Sequence, residues 1–253
     1  MCLAILQPAG TETPLQRLRT ASVNNPDGCG FAYLRGGKVQ TRKGRTWAEI
    51  EAAYLAAVRR YGDRSPFLVH FRWATHGSIS HRNTHPFRLA DGGAMIHNGI
   101  ISNVDQPEGV SDTRHFVRTV IDRLPLGWQH DALYREMIAR YIGASNKLAF
   151  LWPDGSTLLV NGSQGEHYAG VWYSNNSYTP YVGQWWTADD DLCTVSGDAE
   201  DYPTDCCPEC YEEYDGNTLL LGFCPVCGLA VESGSVPAVR SAKISDYRLA
   251  RDL

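Results

Sequence analysis

The chain has 253 residues, of which 43% are hydrophobic and 20% charged, and a formal net charge of −5 at pH 7. This composition is that of an ordinary soluble globular protein, and the negative charge argues against a broad nucleic-acid-binding surface, although a local basic patch stays open. No apolar run approaches the roughly 20 residues of a membrane span, and the first residues lack the basic and apolar regions of a signal peptide. We therefore expect a cytoplasmic protein without a membrane segment.

The second residue is a cysteine, in the opening stretch MCLAILQP. Removal of the start methionine before a small residue would leave Cys2 with a free thiol and a free α-amine, whose ordinary pKa values both lie close to working pH. Free cysteine is also among the most buried residue types, so Cys2 has an alternative role as the first residue of a buried strand. The polar residues further along the chain bear on this choice.

Strand and helix patterns alternate over the first three-quarters of the chain. In chain order the predicted elements are a hairpin at 36–37, a helix begun by a capping box at Thr46 and Glu49, a β-rich run over 67–75, a strand ending at His97, a helix after the N-cap Ser111, a helix closed by Gly143, a hairpin at 154–155 and a strand over 167–175. This order predicts a mixed α/β main domain of the α+β class. An acidic linker is predicted over 191–205, because that segment is poor in large apolar residues.

Three short stretches are too polar for packing alone: HFRWATHGS, MIHNGII and SDTRHF. In the first, a β-rich run carries Arg72, Thr75 and His76 at its C-terminal end. In the second, a strand breaks at Asn98-Gly99, which places an amide side chain next to an unhindered backbone N–H. Two such donors are what an oxyanion hole requires.

Together with the N-terminal Met-Cys, the stretches NNPDGCGFAY, RWATHG, NTHPF, HNGII and SDT resemble the class II glutamine amidotransferases, which are N-terminal-nucleophile hydrolases. They occur in the family's order and at similar separations, and the resemblance covers residues 2–190. It implies a four-layer α/β/β/α sandwich. It also implies a reaction in which the thiol of an N-terminal cysteine attacks the side-chain amide of L-glutamine, with the α-amine of the same residue as the base, usually through a water.

The resemblance assigns a role to each candidate residue. It makes Cys2 the nucleophile and base, Asn98 and the Gly99 N–H the oxyanion donors, Arg72 the partner of the glutamine α-carboxylate, Asp112 the partner of its α-ammonium, and Thr75, His76 and Gly77 the pocket lining. On the residues alone, alternatives stay open: Arg72 as a surface arginine, Asp112 as a residue that favours a helix N-terminus, and His76 as a core histidine. We predict structural roles for His70 and His97.

A second motif lies in CCPECYEEYDGNTLLLGFCPVCG. Two C-x₂-C pairs, Cys207/Cys210 and Cys224/Cys227, are separated by thirteen residues, which is the pattern of a zinc ribbon that holds one structural Zn²⁺ through four thiolates. Cys206 is an alternative ligand to Cys207, and disulfide pairing is the alternative chemistry. The ribbon is predicted over 206–230, followed by a polar tail over 231–253.

The resulting hypothesis is a glutamine amidotransferase that hydrolyses L-glutamine without a cofactor and supplies ammonia to an acceptor. Few residues remain after the amidotransferase region, and they contain no nucleotide-binding or phosphoribosyl-binding loop, so we expect a separate synthase partner. A stand-alone amidase acting on another amide, and a non-enzymatic protein that interacts through its zinc ribbon, are the alternatives. Acidic residues in the ribbon make nucleic acid the weaker partner.

Overall fold

The computed structural model describes residues 2–74, 77–103 and 105–180, which form a mixed α/β fold with two antiparallel sheets. The strands are β1 (Leu3–Gln7), β2 (Cys29–Arg35), β3 (Lys38–Gly44), β4 (Phe67–Phe71), β5 (Phe87–Arg88), β6 (Ala94–Asn98), β7 (Lys147–Leu151), β8 (Thr157–Val160), β9 (Glu166–Tyr168) and β10 (Val171–Tyr173). The helices are α1 (Leu15–Asn24), α2 (Trp47–Tyr61), α3 (Asp112–Thr119) and α4 (Ala132–Ile142).

The first sheet has the strand order β3-β2-β4-β1-β10-β9 and the second has the order β5-β6-β7-β8. Strand β1 lies inside the first sheet, between β4 and β10, and all five of its residues are buried. Leu3 is registered with Phe71 of the antiparallel strand β4. Cys2 therefore leaves the sheet at the same edge as Arg72, and the register of β1 fixes where its thiol lies.

Alternating residues of the strands supply three apolar clusters. Leu3 and Ile5 face the side covered by α1 and α2, in a cluster with Tyr54, whereas Ala4 and Leu68 face the second sheet. This alternation is the period of two that a strand imposes on its side chains. The outer face of the second sheet packs on residues of α3 and α4, among them Phe116, Ile138 and Ile142.

Several local predictions are confirmed. The hairpin turns at Gly36-Gly37 between β2 and β3, and the hairpin between β7 and β8 encloses Gly155. Ser111 is the N-cap of α3, with its hydroxyl oxygen accepting from the backbone N–H of Arg114 at 3.2 Å. Gly143 ends α4 in a positive-φ conformation that a glycine adopts without strain.

Other local predictions are wrong. The segment 167–175 is not one strand, because β9 and β10 form a hairpin whose turn is Ala169-Gly170, both with positive φ. The Thr46/Glu49 capping box is not formed, since the Thr46 side chain makes no capping bond and Glu49 accepts from the backbone N–H of Arg45, the residue before the N-cap. The strand ends of the two site motifs also differ: β4 stops at residue 71 and β6 runs to residue 98.

The predicted linker (191–205), zinc ribbon (206–230) and polar tail (231–253) lie outside the described residues and stay predictions. Among the helices of the described ranges, none combines the length and the hydropathy needed to cross a membrane.

Candidate active site

The thiol of Cys2 lies at the edge of the first sheet, against the backbone of Trp73. The Trp73 nitrogen is 3.3 Å from Sγ and its carbonyl oxygen is 3.4 Å from Sγ. Burial raises the pKa of the Cys2 thiol, while the Trp73 N–H and the charge of Arg72 act in the opposite direction. The thiol is therefore protonated at neutral pH and needs a base before it can act as a nucleophile.

Asn98 brings an amide to the same place from the second sheet. It is the last residue of β6, is 2% exposed, and its Nδ2 donates to the Cys2 carbonyl oxygen at 2.5 Å. Gly99 follows with φ +137°, and a Cβ added there would lie 2.2 Å from Oδ1 of Asn146. Only glycine fits this position, and its backbone N–H directly follows Asn98 in the chain.

The side chain of His97 anchors the end of β6 through two hydrogen bonds. Its Nε2 lies 2.8 Å from Asn146 Oδ1, and its Nδ1 lies 2.8 Å from Thr113 Oγ1. Because the Asn146 amide nitrogen donates to Ile142, its oxygen faces the ring and His97 carries its proton on Nε2. Burial lowers the pKa of His97, so the ring is neutral and joins β6 to α3.

Arg72 and Asp112 are buried charged residues whose charges both influence the Cys2 thiol. Arg72 is 3% exposed and its Nη1 donates to the carbonyl of Ser78 at 2.9 Å. Asp112, in the first turn of α3, accepts from the backbone N–H groups of Ile101 and Thr113 at 2.8 and 2.7 Å. The two charges act on the Cys2 thiol in opposite directions, because Arg72 lowers its pKa and Asp112 raises it.

The loop that carries Gly77 packs against the start of α3. Gly77 has φ +73°, and an added Cβ would lie 2.9 Å from the backbone nitrogen of Ser111. Asn83, from the NTHPF stretch, clamps this contact: its Nδ2 donates to the carbonyls of Ser78 and Gly109, and its Oδ1 accepts from Ser111 N at 3.0 Å. The structure thus brings Gly77 near Asp112, whereas Thr75 and His76 lie outside the described residues.

Sequence reasoning missed two residues of this site. Asn175 Nδ2 donates to the Cys2 carbonyl at 2.8 Å, and Asp27 Oδ2 accepts from the backbone N–H of Ala74 at 2.7 Å, which fixes the chain next to Trp73. Both lie in polar stretches, YSNNS and NNPDG, that have the composition of turns. The available signal was that each stretch borders a strand of the central sheet.

Two other groups near the motifs, the Cys29 thiol and a pair of histidine rings, lie in the packed interior. Cys29 is buried on the helix-covered face of the first sheet, where burial raises the pKa of its thiol. The rings of His70 and His85 stack at 3.9 Å between centroids, and both are buried. Within the described ranges, no group of three or more histidine, cysteine or acidic residues is arranged to hold a metal ion. The four cysteines predicted to bind zinc lie outside those ranges.

Comparison with known proteins defines the class. Residues 11–192 match the family model described as class-II glutamine amidotransferases, which covers well over half of the chain. The chain therefore belongs to the class II glutamine amidotransferases.

Among curated proteins, it is similar to glutamine–fructose-6-phosphate aminotransferase [isomerizing] of Mycolicibacterium smegmatis, at 39% identity over 92 residues, which cover 34% of this chain and 15% of the relative. The enzyme of that name from Xylella fastidiosa is 31% identical over 91 residues, covering 36% of this chain and 14% of the relative. Among solved structures, the glutamine phosphoribosylpyrophosphate amidotransferase of B. subtilis, complexed with ADP and GMP, matches with a TM-score of 0.44 and 15% identity, over 68% of this chain and 41% of that chain. The matched region thus spans only about one-seventh of the length of these curated relatives.

Proposed function

We propose that the chain hydrolyses the side-chain amide of L-glutamine and supplies the ammonia to an acceptor. One observation carries this proposal: the Cys2 thiol lies at a sheet edge where the Asn98 amide contacts the same residue and two buried opposite charges, Arg72 and Asp112, influence the thiol. Glutamine brings an α-carboxylate and an α-ammonium, so a buried cation and a buried anion are its expected complement. Family membership supports the same assignment.

The reaction begins once removal of Met1 frees the α-amine of Cys2. The amine, with an ordinary pKa of about 7.7–8.0, accepts the proton of the thiol, and the sulfur attacks the amide carbon of glutamine. The Asn98 amide and the Gly99 N–H donate to the oxyanion that forms. As the C–N bond breaks, the proton passes to the leaving nitrogen, ammonia departs, and a water then hydrolyses the thioester to glutamate.

The fold proposed for this chemistry is the four-layer sandwich of the N-terminal-nucleophile hydrolases. Its support is the sequence of apolar clusters, from α1 and α2 through the two sheets to α3 and α4. In such a sandwich the residue that begins an internal strand lies at the open end of the space between the two sheets. Cys2, which precedes β1, and Asn98, which ends β6, would lie together there.

The acceptor of ammonia belongs to a separate synthase subunit in this proposal. The curated relatives carry most of their length outside the matched region, and their name gives fructose 6-phosphate as the acceptor in their case. For this chain we propose only that the acceptor is bound by the partner. The proposal also includes a cytoplasmic location, one structural Zn²⁺ held by Cys207, Cys210, Cys224 and Cys227, and no cofactor for glutamine hydrolysis.

The decisive experiment measures glutamate and ammonia release from L-glutamine, together with the intact mass of the purified protein. We expect a mass that lacks Met1, and no release by Cys2→Ala. Cys29→Ala is the matched control, because it removes a thiol from the opposite face of the same sheet and should leave the activity within about twofold. Glutamine hydrolysis that persists in Cys2→Ala would contradict the proposal.

The stand-alone amidase is separated from this function by a glutamine analogue with an electrophilic side chain. Such an analogue should label Cys2 in the wild-type chain even where release of ammonia awaits a partner. Labelling should weaken in Arg72→Lys, because an amine cannot form the bidentate contact of a guanidinium with the α-carboxylate. If the analogue leaves Cys2 unlabelled and the chain hydrolyses a different amide, the stand-alone amidase would be favoured.

A further inference from the structure

The turn after β10 lies against the nucleophile. Beyond the last strand residue, the backbone N–H of Ser174 donates to the carbonyl of Ala4, and its hydroxyl oxygen accepts from the Ala4 N–H, both at 2.9 Å. These bonds continue the pairing between β10 and β1 by one residue. They bring Asn175 alongside Cys2, although 173 positions separate the two in the sequence.

The side-chain amide of Asn175 has a fixed orientation. Its Oδ1 accepts from the backbone N–H of Ser177 at 3.0 Å and from the Ser177 hydroxyl at 2.7 Å. Its Nδ2 therefore faces the site, where it donates to the Cys2 carbonyl at 2.8 Å and lies 3.4 Å from Oδ1 of Asn98. Asn24 of α1 anchors this turn, because its side-chain amide donates to the Ser177 carbonyl at 2.8 Å.

The Cys2 carbonyl thus has two amide donors, Asn98 and Asn175. In the proposed reaction Asn98 also donates from Nδ2 to the oxyanion, and a rotation of the amide that aligns this new bond weakens its bond to the carbonyl. The Cys2 carbonyl is partly buried, so the loss of its only donor would carry a cost that adds to the barrier of the chemical step. The bond from Asn175 removes that cost, because the carbonyl stays paired when Asn98 moves.

We propose that Asn175 is a positioning residue for glutamine hydrolysis, which holds the Cys2 carbonyl while the Asn98 amide turns to the oxyanion. The inference rests on the function proposed above. The contact between Asn175 Nδ2 and Asn98 Oδ1 also favours the reaction. It holds the oxygen of the Asn98 amide on the side of Asn175, which leaves the Asn98 Nδ2 donor for the oxyanion. Asn175 acts only through Cys2 and Asn98, so its effect should appear in the chemical step and not in glutamine binding.

Asn175→Asp is the informative variant. The carboxylate still accepts from Ser177, which preserves the turn, but it cannot donate to Cys2. We expect kcat for glutamine to fall by about 10–100-fold, less than or comparable to the loss of a direct oxyanion donor, with KM within about twofold. Asn176→Asp is the matched control: it introduces the same charge at the next residue, which is exposed, and should keep both constants. An unchanged kcat in Asn175→Asp, or an increase in KM alone, would overturn the inference.

A double-mutant cycle with Asn98→Ala separates positioning from a general structural role. If Asn175 acts through Asn98, adding Asn175→Asp to Asn98→Ala lowers kcat by much less than it does in the wild-type background. Losses that multiply would contradict the proposed coupling. Asn175→Ala, which adds no charge, replaces Asn175→Asp in this cycle where thermal melts show that the aspartate variant does not fold.

Alkylation of Cys2 by iodoacetamide gives a readout that does not depend on glutamine. Peptide mapping follows the rate at Cys2 between about pH 7 and pH 11, a window that extends well above the ordinary thiol pKa of about 8.5 because burial raises the pKa of this thiol. In Asn175→Asp the midpoint should move to higher pH, because a negative charge beside the thiol disfavours the thiolate, while Asn176→Asp should leave it in place. A chain that shows this shift but never hydrolyses glutamine overturns the proposed function and still places Asn175 at the nucleophile. An unshifted midpoint overturns that placement.

Discussion

The Asp112 carboxylate accepts a hydrogen bond from the backbone N–H of Ile101, with 2.8 Å between Oδ2 and the nitrogen. This bond ties the first turn of α3 to the loop that follows Gly99. Thr113 adds a second connection, because its hydroxyl lies 2.8 Å from the ring of His97 at the end of β6. The proposed ammonium-binding residue and the proposed oxyanion donors therefore belong to one hydrogen-bonded unit, and displacement of one is expected to displace the other.

Asp112→Asn tests the charge at this position with little change in shape. The substitution removes the anion that would hold the glutamine α-ammonium, and it leaves one acceptor where two backbone N–H groups now bond. We expect KM for glutamine to rise by about tenfold or more, since hydrogen bonds to charged groups are each worth roughly 1.5–3 kcal/mol. Steady-state kinetics check this, with the exposed Asp105→Asn as the control. Equal KM values in the two variants would exclude an ammonium-binding role.

Arg72→Lys keeps the positive charge but loses the planar fork. A bidentate contact with the glutamine α-carboxylate needs that fork, so KM should rise by about tenfold or more while kcat changes less. The exposed Arg59→Lys, on α2, is the matched control and should have wild-type constants. A thermal melt accompanies the kinetics, because Arg72 also supports the loop at Ser78 through its Nη1. Wild-type KM in a folded Arg72→Lys protein would argue against carboxylate binding.

Local sequence patterns predict the elements whose buried stripe is long and regular. Helix α2 buries residues at helical spacing over about three turns, from Trp47 to Ala57, and was predicted. Helix α1 was missed because only Leu18 and Ala21 are buried along it, which leaves almost no periodic signal. The β9–β10 hairpin was read as one strand because its turn uses Ala169 at φ +49°, a conformation that alanine rarely adopts and that sequence does not reveal.

The site itself is an effect of strand pairing that no local pattern can supply. Cys2 and Asn98 are 96 residues apart and meet because the start of β1 and the end of β6 lie next to each other in two facing sheets. The family resemblance links the two motifs, since both belong to its ordered set of stretches. Asn175 escaped because an Asn-Asn pair after a strand is first of all a turn signal, and only the pairing of β10 with β1 places it at the nucleophile.

Gly99→Ala should destabilise the protein and abolish most of its activity. An added Cβ would lie 2.2 Å from Asn146 Oδ1 and 3.0 Å from the Asn146 Cα, so the side chain that holds His97 and the backbone behind it must both shift. Gly127→Ala is the control for backbone strain alone, because Gly127 also has positive φ but open space around it. Denaturant unfolding should show a loss for Gly99→Ala that exceeds the roughly 1–2 kcal/mol expected for the control. Similar losses would show that the contact with Asn146 yields easily.

Acid should destabilise the fold through its buried histidines, and His70 gives the clearest case. It is fully buried, with Nε2 donating to the His97 carbonyl at 2.9 Å, and burial lowers its pKa to about 3. Below the ordinary histidine pKa of about 6.5, the unfolded chain binds a proton at this position and the folded chain does not. The free energy of unfolding therefore falls as pH decreases from about 6.5 toward 3, by up to about 1.4 kcal/mol per pH unit for this group.

His70→Gln removes this titration and can still donate to the His97 carbonyl. Denaturant unfolding between about pH 6.5 and pH 4 should give a dependence on pH that is shallower than the wild-type one by nearly that amount per unit. His130→Gln, at an exposed position, is the matched control and should keep the wild-type dependence. Parallel curves for His70→Gln and the wild-type chain would mean that His70 is protonated in the folded protein.

The zinc ribbon is tested by metal content. Four thiolates from two C-x₂-C pairs are the donor set of a structural tetrahedral Zn²⁺ site, so the purified chain should carry one zinc per molecule. Cys224→Ser should lose that zinc and expose 206–230 to protease, because a segment this small gains much of its folding energy from the metal.

Cys193→Ser, outside the motif, is the control and should retain the full zinc content. Comparison of Cys206→Ser with Cys207→Ser decides which of the two adjacent thiols is the ligand. Zinc that stays stoichiometric in Cys224→Ser, or a protease-resistant metal-free segment, would refute the ribbon. Glutamine hydrolysis should survive the loss of zinc, since none of the residues proposed to act on glutamine lies in 206–230.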